Sequence, residues 1–203
     1  MATNEATKRY DALKKIRDDV VALVSSPLYA DRVKNNMLPV IGEGNHFATI
    51  MFVGEAPGKN EAKTGRPFVG AAGKFLNELL VGIGAKREDV YITNIVKDRP
   101  PENRDPTPEE IELYGPFLDR QIEILQPKTI ATLGRFSMNY IMQKFDLDFE
   151  IEPISKAHGK TYTAHAAFGK IGILPLYHPA VALYNGAMRN VLKKDFEVVK
   201  NFL

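Results

Sequence analysis

The sequence predicts an α/β protein: a three-layer αβα sandwich built on a central, mainly parallel sheet of four strands. Three observations carry this. Four short apolar runs, at residues 48–53, 90–96, 129–133 and 171–176, have the length and the β-branched or aromatic content of strands. Helical patterns alternate with them, and such alternation builds a parallel sheet with helices on both faces. The size also fits, since 203 residues make one domain with a sizeable core and exclude a multidomain machine.

The first element is a helix over residues 5–25, packed on the body of a single 1–203 domain. It places Tyr10, Leu13, Ile16, Val20 and Val24 at spacings of three and four, with Lys and Asp between. Residues 26–45 lack a period and read as a long connection. After the first strand, Phe75, Leu76, Leu79, Leu80 and Ile83 mark one face of a helix over 71–83. After the second, Thr107-Pro108-Glu109-Glu110 supplies an N-cap, a first-turn proline and the Glu of a capping box, opening a helix that ends before Pro127. Another helix starts near Arg135, and a last one carries Leu192, Phe196, Val199 and Leu203.

Composition narrows the chemistry. Twenty-seven Lys and Arg against 25 Asp and Glu leave +2, too little to argue for nucleic acid by itself. Residues 151–203 are locally basic, with seven Lys or Arg against three acids. No cysteine is present, which excludes disulfides, thiolate catalysis and any metal site built on Cys. No apolar run approaches the roughly 20 residues of a membrane span. The start, Met1-Ala2-Thr3-Asn4-Glu5, shows no secretory leader, so the expected location is the cytoplasm of a prokaryote, in work on the nucleoid.

Ligands of such sheets bind beyond the carboxyl ends of the strands. The first strand is followed there by five glycines in twenty residues, from Gly54 to Gly73. This is either a long turn or a loop whose backbone closely approaches a ligand. A phosphate loop fails on spacing, because Phe68 stands where that motif needs Gly. At the second strand end, Thr93-Asn94 is a turn-stabilising pair or a functional one. At the fourth, Tyr177-His178-Pro179-Ala180 holds a structural or a catalytic imidazole.

Jointly, these segments resemble the uracil-DNA glycosylase superfamily, and most closely its family 4. Gly54-Glu55-Ala56-Pro57-Gly58 with Gly65-Arg66-Pro67-Phe68-Val69-Gly70 is similar to the first motif of that family. Thr93-Asn94-Ile95-Val96-Lys97 with Arg99-Pro100-Pro101 resembles the middle one, and His178-Pro179-Ala180 the last. The resemblance implies an enzyme that flips uracil out of single- or double-stranded DNA and hydrolyses its N-glycosidic bond, as a monomer without membrane partners. It assigns Phe68 to stacking on the base, Asn94 to its Watson–Crick edge and His178 to O2. Gly54, Ala56 and Gly58 line the base site, and backbone N–H groups near Glu55 and Ala56 help hold the leaving anion. Glu55 positions the water, Glu61 supports it, and Arg66, Lys97 and Arg99 contact phosphates. Two other readings remain open: a catalytically weak uracil-DNA-binding member of the superfamily, and a nucleoside or nucleotide hydrolase.

The sequence departs from the family in three places. Family 4 holds a 4Fe–4S cluster on four cysteines, and their positions fall here at Leu23, Ser26, Asp98 and Tyr114. The expectation is therefore no metal and no cofactor, with packing by Leu23 and Tyr114 in place of the cluster. In the segment that wedges into DNA stand Ala182, Leu183 and Tyr184, so Leu183 or Tyr184 is the expected wedge. The Glu-Asp pair of the first motif is half kept, as Glu61-Ala62.

Overall fold

A computed structural model describes residues 2–203; Met1, the first residue of the start read for a leader, lies outside them. The described residues form helices α1 (Ala2–Val21), α2 (Tyr29–Lys34), α3 (Lys59–Thr64), α4 (Ala71–Gly82), α5 (Pro108–Leu125), α6 (Arg135–Lys144), α7 (Ile154–Ala157), α8 (Val181–Tyr184) and α9 (Ala187–Val199). The strands are β1 (Glu43–Gly44), β2 (Ile50–Gly54), β3 (Tyr91–Asn94), β4 (Thr129–Leu133), β5 (Tyr162–Ala166) and β6 (Gly169–Leu176). They make one sheet in the order β1-β3-β2-β4-β6-β5.

The four predicted strands are its parallel centre, β3-β2-β4-β6. The sheet has six strands rather than four, because β1 and β5 add antiparallel edges to β3 and β6. Two residues are too few to show a period in β1. In β5 the buried positions, Tyr162 and Ala164, alternate with exposed Thr163 and His165, but small and polar residues dilute the apolar signal.

Alternation along the central strands feeds two cores. Met51 and Val53 face a cluster with Ile16 and Val20 of α1, Leu118 and Ile122 of α5, and Met138 and Ile141 of α6. Ile50 and Phe52 face the other side, with Leu76 and Leu80 of α4 and Leu192 and Phe196 of α9. The Phe52 and Phe196 rings lie 5.8 Å apart, nearly parallel. Each such fully buried side chain contributes about 1.5–3 kcal/mol.

Some boundaries shift. The first helix ends at Val21, leaving Val24 exposed beyond it and Tyr10 on its outer face. Leu203 lies past the last helix and is also exposed. The stretch 26–45, read as connection, contains α2 and β1, and α3 sits inside the glycine-rich loop. The Thr107 capping box forms as expected: Glu110 N–H donates to Thr107 Oγ1 at 3.2 Å, and Thr107 N–H to Glu110 Oε2 at 2.9 Å.

Chain order reverses between β2 and β4, since β3 lies on one side of β2 and β4 on the other. A crevice forms at the carboxyl ends of strands where order reverses this way. Gly54, Asn94 and the turn into His178 meet there.

Candidate active site

At this crevice lies a pocket of about 380 Å³. Its walls include Glu55, Ala56, Pro57, Gly58, Glu61, Phe68, Asn94, Pro100, Asn103, Arg104, His178 and Tyr184. Small-ligand sites typically span about 300–1,000 Å³. The sheet therefore gathers residues from all three motifs.

Asn94 closes β3, in register with Gly54 at the end of β2. It is 2% exposed, and its Oδ1 has no hydrogen-bond partner among the described residues. Such an atom costs about 1–3 kcal/mol when it stays unpaired. Gly54 is what lets the amide sit here, because a Cβ at that position would lie 2.3 Å from Asn94 Oδ1 and 2.7 Å from the Phe68 ring.

Phe68 is buried against the pocket with a left-handed backbone, φ 50°. That conformation is uncommon for a bulky residue and needs external support. Glu61 supplies part of it, since its Oε1 accepts from Val69 N–H at 2.9 Å and Gly70 N–H at 2.7 Å. Arg87 adds more, donating to the Phe68 carbonyl at 3.2 Å and to Pro67. Gly73 completes the clamp, as a Cβ there would strike the Phe68 carbonyl. The ring ends 5.6 Å from that of His178.

His178 Nδ1 accepts from Ala180 N–H at 3.1 Å. A nitrogen that accepts a backbone hydrogen bond carries no proton, so in the neutral ring the proton is on Nε2. Burial holds the imidazole down at about 4, against a small opposing pull from Glu61. At neutral pH the pocket thus holds an uncharged N–H donor. Glu55, half-buried opposite, is pushed up to about 7, first by burial and then by the charge of Asp105, with Arg135 pulling it down.

The remaining predicted residues divide. Ala56 and Gly58 line the pocket. Leu183 and Tyr184 end α8, at 43% and 90% exposure, and Tyr184 stands at the pocket wall. Arg99 donates to Asn103 Oδ1 at 2.7 Å on the exposed side of the next loop. Arg66 lies outside the pocket wall, exposed and paired with Glu43 at 2.6 Å. Lys97 corrects the expectation: it is 0% exposed and reaches no phosphate. It lies beneath β3, where its ammonium meets protein acceptors.

The motifs also left residues unread. Arg104 lines the pocket while its guanidinium makes two bonds to Glu110, at 2.6 and 2.8 Å. The same Glu110 that caps α5 thus seats an arginine at the pocket, a signal present in the capping box. Asp105 and Arg135, which bias Glu55, carry no such signal.

The residues at the cluster positions do not fit a 4Fe–4S cluster. The four positions do converge, but they carry no thiolate, and three of them join a polar knot. Ser26 Oγ lies 2.7 Å from Tyr114 OH, and Tyr114 OH donates to Asp98 Oδ2 at 2.6 Å. Arg32 donates to both Asp98 oxygens, at 3.1 and 2.8 Å, and to the carbonyls of Val20 and Val21. Tyr114 fills the space and Leu23 packs beside that core, as expected, but an ion pair and hydrogen bonds do the joining. Among the described residues no group of His, Cys, Asp and Glu could hold a metal.

Comparison with known proteins agrees with this arrangement. The profile of the uracil DNA glycosylase superfamily matches residues 41–200. A type-4 uracil-DNA glycosylase of Sulfurisphaera tokodaii is 48% identical over 191 residues, covering 94% of this chain and 84% of that one. One of Archaeoglobus fulgidus is 47% identical over 184 residues, 90% of each chain. Another, of Thermotoga maritima, is 40% identical over 197 residues, 96% of each. The likeness covers nearly the whole chain, which belongs to the uracil-DNA glycosylase superfamily, among its type-4 members.

Proposed function

We propose that the protein is a DNA repair glycosylase that flips uracil out of DNA and hydrolyses its N-glycosidic bond, leaving an abasic site. The carrying observation is the buried Asn94, its Oδ1 unpartnered among the described residues, in one pocket with Phe68 and a neutral His178. Uracil offers O4 as an acceptor and N3–H as a donor. Asn94 Nδ2 donates to the first, and Oδ1 accepts from the second. Cytosine presents the opposite pattern and leaves both groups mismatched. Phe68 stacks on the base, which must leave the duplex to get there.

As the C1′–N1 bond breaks, its electron pair moves onto the base and positive charge grows on the sugar. His178 Nε2–H donates to uracil O2, with backbone N–H groups near Glu55 and Ala56 beside it. One such donor is worth about 2.7–4 kcal/mol in the transition state. Water adds at C1′ and its proton passes through solvent to the departing uracil anion; Glu55, as the carboxylate, orients that water, and Glu61 keeps the loop shaped around it. Gly54, Ala56 and Gly58 let the backbone approach the base. Arg66, Arg99, Arg104 and the basic 151–203 region meet phosphates, while Leu183 or Tyr184 fills the space the base leaves.

On this reading the protein works as a monomer, in the cytoplasm of a prokaryote. No described helix is long and apolar enough to cross a membrane. A uracil-containing oligonucleotide tests the activity. Alkali-labile cleavage at the uracil supports excision, binding without cleavage would make the protein a uracil-DNA binder, and neither would favour a hydrolase of free nucleosides.

A further inference from the structure

Lys97 places an amine in the interior, with no carboxylate paired to it among the described residues. Its side chain is fully buried, and Asp98, the next residue, turns to Arg32 and Tyr114 instead. Isolated buried ammonium groups are costly unless their donors are satisfied. Here all three protons are used: Nζ donates to the Asn94 carbonyl at 2.6 Å, Gln121 Oε1 at 2.6 Å and Thr93 Oγ1 at 2.9 Å. The acceptors are themselves fixed. Thr93 gives its proton to the Ile41 carbonyl at 2.6 Å, and Gln121 Nε2 donates to the same oxygen at 2.9 Å. Burial pulls the amine down to about 7, and these acceptors satisfy its three donors there.

The chain leaves the sheet at Asn94. The next two N–H groups still pair with the end of β2 and the residue after it, Ile95 to Gly54 at 3.1 Å and Val96 to Glu55 at 3.0 Å. The Asn94 carbonyl turns down to Lys97, while the residue lines the pocket with its buried Oδ1 left without a partner among the described residues. The aim of the amide is therefore set from the backbone side.

We propose that Lys97 is a positioning residue for base recognition, clamping the Asn94 carbonyl so that the Asn94 amide faces the base. This rests on the reading of Asn94 given above. Misplacement of such a group by about 1 Å lowers rates by about a hundredfold.

The test compares binding of two oligonucleotides, one with 2′-fluoro-deoxyuridine and one with 2′-fluoro-deoxycytidine, which resist cleavage. The variants are Lys97→Met, Lys97→Met with Gln121→Met, and Asn94→Ala, each checked for folding by circular dichroism. Both Lys97 variants are expected to lose about tenfold of the preference for uracil, while affinity for the cytosine strand stays within about twofold. If Asn94→Ala loses the preference and the folded Lys97 variants keep it, the role of Lys97 is overturned and that of Asn94 stands. A preference retained in Asn94→Ala would overturn both. Lys97 variants that do not fold, singly or doubly, would make Lys97 a support of the whole fold and overturn the assignment.

Discussion

Asn94 and Asp98 stand four residues apart, both polar, both almost wholly buried, on one segment leaving β3. Asp98 accepts from Arg32 and Tyr114 and joins α2 to α5. Asn94 lines a pocket and leaves its buried Oδ1 unpaired among the described residues. A satisfied buried group stabilises a fold, and an unsatisfied one is tolerated where a ligand completes it. Four residues therefore separate a structural site from a recognition site, and substitutions at the two should fail in opposite ways.

The largest effect belongs to the knot. Removing one partner of a buried ion pair costs about 3–5 kcal/mol, so Asp98→Ala should lower the urea midpoint sharply. Its excision rate per folded molecule at low temperature should stay close to that of the parent. An intact midpoint with lost excision would erase the contrast.

His178→Ala should do the reverse. Loss of one donor to a developing anion lowers single-turnover excision by about 10²–10³-fold, with little change in affinity for uracil DNA or in stability. Equal losses in rate and affinity would turn His178 into a positioning group.

Next is the pH profile. With Glu55 raised to about 7, its carboxylate forms only as pH climbs through that value. Excision should rise about tenfold between pH 6 and 8, and the rise should flatten in Glu55→Gln. Folding carries the opposite sign, because a raised carboxyl favours the folded state at low pH and loses that contribution as pH passes about 7. A profile unchanged by Glu55→Gln would move the water-orienting role elsewhere.

The smallest expected effect is none. With no thiolate at the four convergent positions, the purified protein should be colourless, and excision should be unchanged by iron chelators. Stoichiometric iron, or loss of excision on chelation, would mean that the knot is not what joins these elements.

Much of this was legible in the sequence. The four central strands announced themselves by short, mostly apolar runs, and the glycine loop, Asn94 and His178 by standing at their ends. The polar knot was not, because Ser26, Arg32, Asp98 and Tyr114 meet only after α1, α2 and α5 have packed. Lys97 misled for a related reason. A lysine beside Asp98 and Arg99 reads as part of a basic surface, and only three acceptors drawn from β3 and α5 make its burial tolerable. Arg104 was hidden because its partner Glu110 was already explained as a cap.

The most direct test of the recognition half is Asn94→Asp, assayed on matched oligonucleotides that differ only in uracil or cytosine. An ionised Asp only accepts, so it repels uracil O4 and suits the amino group of cytosine. Uracil excision should fall by an amount equivalent to about 1–3 kcal/mol or more, and the uracil-to-cytosine ratio should shrink, with at most a small gain on cytosine. Unchanged uracil excision with an unchanged ratio would show that Asn94 does not read the base.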